Sequence, residues 1–171
     1  MRILKSFVLG LLFIGAIALV STLGHPQVAA AAHGTPSAGW TIHIDAQKHF
    51  PNHPNEWAHH WCRAAAGIPG MLECQIYGSD DSNAALVATE VIVPTAAWKK
   101  MDAKEQASWH YHKTEIPKVN AKMPDVTPAA AKKMVAGMME TYGKIYMLWD
   151  PMDGKGPSGA PTLNILEGDQ K

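Results

Sequence analysis

Two runs of alternating side chains, residues 56–63 and 71–77, are joined by a connection holding Gly67, Pro69 and Gly70, which predicts a β-hairpin. Period-two alternation places Ala58, His60 and Cys62 on one face of the first run and Trp57, His59 and Trp61 on the other. Leu72, Cys74 and Ile76 share a face of the second. After the turn-forming residues 78–83, a β-branched strand is expected over 84–93, in which Glu90 shares a side with Ala88 and Ile92. It is the odd acidic residue in an apolar strand. A short strand at 40–45 precedes a turn-rich stretch, 49–55, that contains two prolines and two asparagines.

The second half of the chain changes period. Thr95, after Pro94, can cap a helix over 96–108, and Asp102 with Glu105 three residues on offers a second start. Residues 109–112 and 113–119 read as a return to strand. Thr127-Pro128 opens a helix over 129–141 with Met134, Met138 and Met139 on an apolar stripe, a pattern that core packing explains. Strands at 144–149 and 161–166 flank a glycine- and proline-rich loop, 150–159. Strands and helices do not alternate strictly. The expected class is therefore α+β: a mainly antiparallel sheet with two principal helices packed on it.

The N-terminus alters this picture. Arg2 and Lys5 precede an uncharged apolar stretch, 7–23, followed by Gly24, Pro26 and the small residues Ala29 to Ala32. That order predicts a cleavable signal peptide over 1–32, with a retained anchor as the alternative, then a flexible leader over 33–40 and one domain over 41–171. The expected location is periplasmic or secreted, with no transmembrane span after cleavage. Taking Arg2 and Lys5 from 15 basic residues leaves 13 against 15 acidic ones, a balance that gives nucleic acid no attraction. Roughly 140 residues suffice for an ordinary core. Cys62 and Cys74, the two cysteines, are open to a disulfide, to a life as free core thiols, or to metal ligation.

Nine histidines concentrate the candidate chemistry, five of them at 43, 49, 53, 59 and 60 and two more at 110 and 112. In an extended segment His110 and His112 point to one side. Together with Glu90 and a histidine of the 59–60 pair they form the nitrogen-and-carboxylate set that zinc, copper, iron or nickel accepts. The candidate ligands are His60, Glu90, His110 and His112, with His59 and Cys62 as nearby substitutes. A non-ligating arrangement, with one imidazole capping the preceding helix and Glu90 a plain buried acceptor, is the structural alternative. His49 and His53, in the proline-rich turn, read as surface residues or a secondary metal patch. No nucleophile elbow, phosphate loop, dinucleotide fingerprint or HExxH helix is present.

The ordered set Ala58-His59-His60-Trp61-Cys62, Glu73-Cys74-Gln75-Ile76-Tyr77, Glu90, Trp109-His110-Tyr111-His112, Thr141-Tyr142-Gly143-Lys144 with Trp149, and Pro157-Ser158-Gly159-Ala160-Pro161 resembles the oil-body-associated protein family. The resemblance runs from about residue 42 to 165. It implies a domain of unknown function shared by plants, fungi and bacteria, whose plant members associate with seed lipid droplets. It also implies a histidine-centred site, since His59, His60, Glu90, His110 and His112 all fall inside the matching motifs. Two departures weigh against oil-body targeting: the export signal, and the absence near Ala64 of a histidine that plant members place just after the cysteine. Two functions follow as expectations. One is binding of a divalent transition metal; the other is non-catalytic binding of lipid, another apolar ligand or a partner.

Overall fold

The computed structural model describes residues 39–164. The signal peptide expected over 1–32 lies outside them, as does most of the leader. Seven strands form one sheet: β1 (Ile42–Ala46), β2 (Ala58–Ala64), β3 (Leu72–Tyr77), β4 (Leu86–Pro94), β5 (His110–Tyr111), β6 (Thr141–Met147) and β7 (Thr162–Asn164). Their order is β1-β2-β3-β4-β6-β5, with β7 also paired to β6, and every pairing is antiparallel. The hairpin read from the sequence is β2–β3, with His60 opposite Ile76 and Cys62 opposite Cys74. No helix among the described residues is long and apolar enough to cross a membrane.

Cys62 and Cys74 form a disulfide. Because it closes a loop over a sequence separation of 12, replacing both cysteines by alanine is expected to lower the unfolding free energy by about 2–3 kcal/mol. A denaturant midpoint unchanged from wild type would contradict this.

The helical parts depart from expectation in two places. Residues 96–108 do not form one helix; they make two single turns, α1 (Thr95–Trp98) and α2 (Ala103–Gln106). Asp102 is the reason: it is extended, at φ −70° and ψ 164°, and its side chain accepts a hydrogen bond from the Glu105 amide, so a new turn starts there, while Thr95, expected to cap the first, instead donates its hydroxyl to the Glu140 carbonyl. The Gln106 amide then ties the two turns together by donating to the Trp98 and Met101 carbonyls. Residues 113–119, expected extended, are instead the helical turn α3 (His112–Glu115) and a 3-10 turn (Ile116–Lys118). Thr114 donates to the Tyr111 carbonyl, and Pro117, which has no amide to give a ladder, sits in the first turn of the 3-10 segment.

Helix α4 (Pro128–Met138) begins as the sequence indicates, with the Thr127 hydroxyl accepting from the Ala130 amide and proline in the first turn. Its Ala131, Met134, Val135 and Met138 cover a core cluster of Ile44, Cys62, Cys74, Ile92 and Met123. A second cluster gathers Phe50, Ala58, Ile76, Val87, Ala88, Ile145 and Met147. Both draw on the inward row of side chains that the β2 and β4 alternation predicts. His60 and Glu90 interrupt that row, so a polar group lies between two apolar ones.

Candidate metal centre

Strand β4 turns Glu90 inward with Ala88 and Ile92, leaving it 4% exposed. A carboxylate so placed is costly without partners. The partners come from the other side of β6. There β5 is two residues long, and its register, His110 opposite Gly143 and Tyr111 opposite Tyr142, is held by a stack of rings: Trp98 on Tyr142 at 4.0 Å and Tyr142 on Tyr111 at 4.6 Å. Tyr111 is still extended, and the chain turns helical at His112. The strand-to-helix step brings both imidazoles onto Glu90, each Nε2 lying 3.3 Å from Oε1.

The same turn adds Glu115. Three residues along a helix from His112, it shares that residue's side, whereas in a strand the odd offset would send it to the other face. Its Oε2 lies 3.0 Å from His110 Nε2 and 3.9 Å from His112 Nε2. From β2, His60 Nε2 stands 4.0 Å from Glu90 Oε2. His49 meets His60 edge-on with ring centroids 4.6 Å apart. His49, His60, Glu90, His112 and Glu115 border a cavity of about 30 Å³, lined also by Ile116, Val119, Met123, Val135 and Met138. That is room for a water molecule or two.

Ring orientations follow from what holds each Nδ1. His112 Nδ1 lies 2.7 Å from the Thr141 hydroxyl, which itself donates to the Met138 carbonyl; the hydroxyl therefore accepts from His112 Nδ1–H, and Nε2 is turned to Glu90. His60 Nδ1 lies 3.2 Å from the carbonyls of Ile44 and Ala58, and His49 Nδ1 lies 2.8 Å from that of Gln47, which fixes those tautomers in the same way. His110 differs: neither ring nitrogen has a hydrogen-bond partner among the described residues, and Glu115 Oε2 is likewise unpartnered. Two carboxylates stand close to His110 Nε2, yet neither lies along its N–H direction.

The charges are strongly coupled. Burial opposes a positive ring at His110, but the neighbouring Glu115 and Glu90 carboxylates outweigh it and push its pKa up to about 10. Burial likewise opposes the Glu90 carboxylate, and His110 and His112 nevertheless hold it well below the usual range. Glu115 is lowered through His110 against the same opposition. His60 goes the other way, lowered to about 4 by burial and by His49, so it presents a neutral nitrogen.

These donors fit a divalent ion. Ligands about 2.0–2.1 Å from a tetrahedral zinc are spaced about 3.3 Å apart, which is the separation of Glu90 Oε1 from both His110 Nε2 and His112 Nε2. Ligand atoms of Glu90, His110 and His112 all lie within 4.8 Å of one another. Two buried carboxylates match the charge of a dication. Gly143 makes the approach possible, because a Cβ built there would overlap Glu90 Oε1 and the His110 ring.

Of the residues singled out in the sequence, His60, Glu90, His110 and His112 therefore meet. The two substitutes do not join them. Cys62 is committed to its disulfide with Cys74, and His59, one residue from His60, points to the opposite face, with Nδ1 2.7 Å from Asp45 Oδ1. His49, which reads from the sequence as a surface residue or part of a secondary metal patch, is not at the surface: it is 3% exposed and borders the cavity. The adjacent Phe50, 1% exposed in the core, is the signal that this turn is anchored inward. Glu115 had no signal in a segment read as strand.

A family model described as a protein of unknown function, DUF1264, matches residues 35–169. Oil body-associated protein 2A of Arabidopsis thaliana is 36% identical over 94 residues, 54% of this chain and 38% of that protein. Oil body-associated protein 1B of the same plant is 31% identical over 107 residues, 62% of this chain and 44% of that protein. Oil body-associated protein 2A of Zea mays is 33% identical over 96 residues, 56% and 38% of the two chains. The matched segment spans about two-fifths of the length of these relatives. No solved structure matches.

Proposed function

The chain belongs to the oil-body-associated protein family, DUF1264, and from that premise we propose that it binds one divalent transition ion through Glu90, His110 and His112, with His60 and Glu115 beside them. The observation that carries the proposal is the convergence, 3.3 Å apart, of two imidazole nitrogens on one buried carboxylate oxygen. Imidazole with carboxylate suits zinc, copper, iron or nickel. When bound, such an ion supplies Lewis acidity and makes coordinated water more acidic. The chain's own part is to orient His112 through Thr141, to fix His60 through two backbone carbonyls, and to set the donors beside the apolar side chains of Ile116, Val119, Met123, Val135 and Met138. Orienting partners of this kind typically change metal affinity by about 10–100-fold.

The rival reading is a non-catalytic binder of lipid, another apolar ligand or a partner. The groove lined by Trp40, Trp61 and Tyr77 supports it, whereas the buried cavity of about 30 Å³ does not admit an acyl chain. A periplasmic or secreted location belongs to the same proposal, supported by the export pattern of residues 1–32 and by a disulfide that an oxidising compartment preserves.

Elemental analysis of tag-free protein, beside a His110→Ala/His112→Ala double variant, tests the metal site. We expect one equivalent of transition metal in the wild type and near-complete loss in the double variant. Equal metal content in both would end the proposal. Absence of metal from both, with saturable binding of an apolar probe, would support the rival.

A further inference from the structure

The opposite face of the sheet carries a second cluster that the buried site does not use. His43 of β1 lies flat against Trp61 of β2, ring centroids 4.2 Å apart, and its side chain is 2% exposed. Its Nδ1 pairs with Asp125 Oδ2 at 3.0 Å. Its Nε2 lies 3.1 Å from Asp45 Oδ1 and 3.4 Å from Asp80 Oδ1, yet makes a hydrogen bond to neither. A buried ring nitrogen is thus aimed between two carboxylates without being satisfied by either. His59 completes the group, with Nδ1 held by Asp45 at 2.7 Å.

Two further observations point to a cation. Ligand atoms of His43, His59 and Asp80 lie within 4.8 Å of one another. Among the described residues, Asp45, Asp80 and Asp125 have no lysine or arginine within ion-pair distance; histidines are their ion-pair partners. Three carboxylates around two imidazoles leave negative charge that a dication would balance. We propose that His43, His59 and Asp80, with Asp45 orienting His59, form a second binding site for a divalent transition ion, open to solvent. Two imidazole donors favour zinc, copper or nickel over calcium or magnesium.

Access separates this site from the buried one. The Asp80 side chain is 51% exposed, and both Asp80 and Trp61 border an open groove of about 350 Å³ lined also by Trp40 and Tyr77. An ion here exchanges readily with a chelator in solution, whereas one at Glu90 lies behind the core. The adjacent residues His59 and His60 serve the two sites separately because a strand sends neighbours to opposite faces. The proposal does not depend on the buried site being occupied.

The test is a zinc titration of the full tag-free chain, stripped with a chelator and then dialysed, in wild type, Asp80→Asn, His59→Gln and the His110→Ala/His112→Ala double variant. Circular dichroism checks that each variant is folded, and Asp80, half exposed, gives a variant that should be. We expect a class of zinc that a weak chelator removes quickly, weakened about tenfold or more in Asp80→Asn and in His59→Gln, and retained in the double variant. Copper(II) provides an independent readout, since an ion on His43 sits beside Trp61: it should quench tryptophan fluorescence, with a midpoint shifted in Asp80→Asn by the same factor. Unchanged zinc affinity in both Asp80→Asn and His59→Gln overturns the proposal, as does a wild type whose zinc is lost entirely in the double variant. Zinc that survives the double variant and disappears in Asp80→Asn upholds this site while removing the buried one.

Discussion

Replacing Gly143 by alanine is expected to destabilise the fold by about 3 kcal/mol or more and to abolish metal retention at the proposed buried site. Gly143 lies in β6 with Ile92 of β4 on one side and His110 of β5 on the other, so its backbone is fixed from both edges. Its φ is not in the left-handed region, and the cost is therefore one of space. A methyl group there would collide with the Glu90 carboxylate and the His110 ring, and neither has a free direction in which to retreat. Gly137→Ala is the control. In α4 nothing lies within 4 Å of a Cβ at that position, so alanine should stabilise by up to about 1 kcal/mol. Thermal unfolding and metal content of the two variants decide the matter. A Gly143→Ala protein with wild-type stability would show that the carboxylate and imidazole do not approach the strand as described.

The second large effect is expected from His110→Ala in metal-free protein, at about 3–5 kcal/mol of destabilisation. Two buried carboxylates, Glu90 and Glu115, would lose the positive ring between them. The pH dependence distinguishes this from a simple cavity. The pKa of His110 is raised in the fold from 6.5 to about 10, so its contribution is fully present below 6.5 and is lost as pH climbs toward about 10. Stripped wild-type protein should thus lose stability between pH 7 and 10. The variant should lack that decline. On the acid side, Glu90 and Glu115 are lowered and His60 is lowered to about 4, so their contributions are lost as pH falls below about 6.5, through His60 first and then the carboxylates. Denaturant melts across the alkaline range would settle the point: parallel pH profiles for wild type and His110→Ala would show that the ring carries no charge in the fold.

Alternation made the inward row legible in the sequence. Ala58, His60 and Cys62, and Ala88, Glu90 and Ile92, fall where period two puts them, and an acid in an apolar strand marked the centre. His110 and His112 were legible as a pair, though not by the geometry expected: one comes from a two-residue strand and the other from the first residue of a helix. Short turns defeat periodicity, because four residues hold barely one repeat of 3.6. That is why α3 read as strand and Glu115 went unseen, and why the stretch at 96–108 hid a break at Asp102. His49 was obscured differently. Prolines and asparagines around it speak of a turn, and nothing local says that this turn is pinned inward by the burial of Phe50.

The cross-link between β2 and β3 has a bearing on ligand capture as well as on folding. Cys62 is two residues from His60, and Cys74 lies directly opposite Glu90 in the β3–β4 register. The covalent tie therefore locks the His60 strand onto β3, the strand that lies between it and Glu90. An ion bound at the proposed site would find that part of the frame already ordered, so less conformational freedom would be lost on binding.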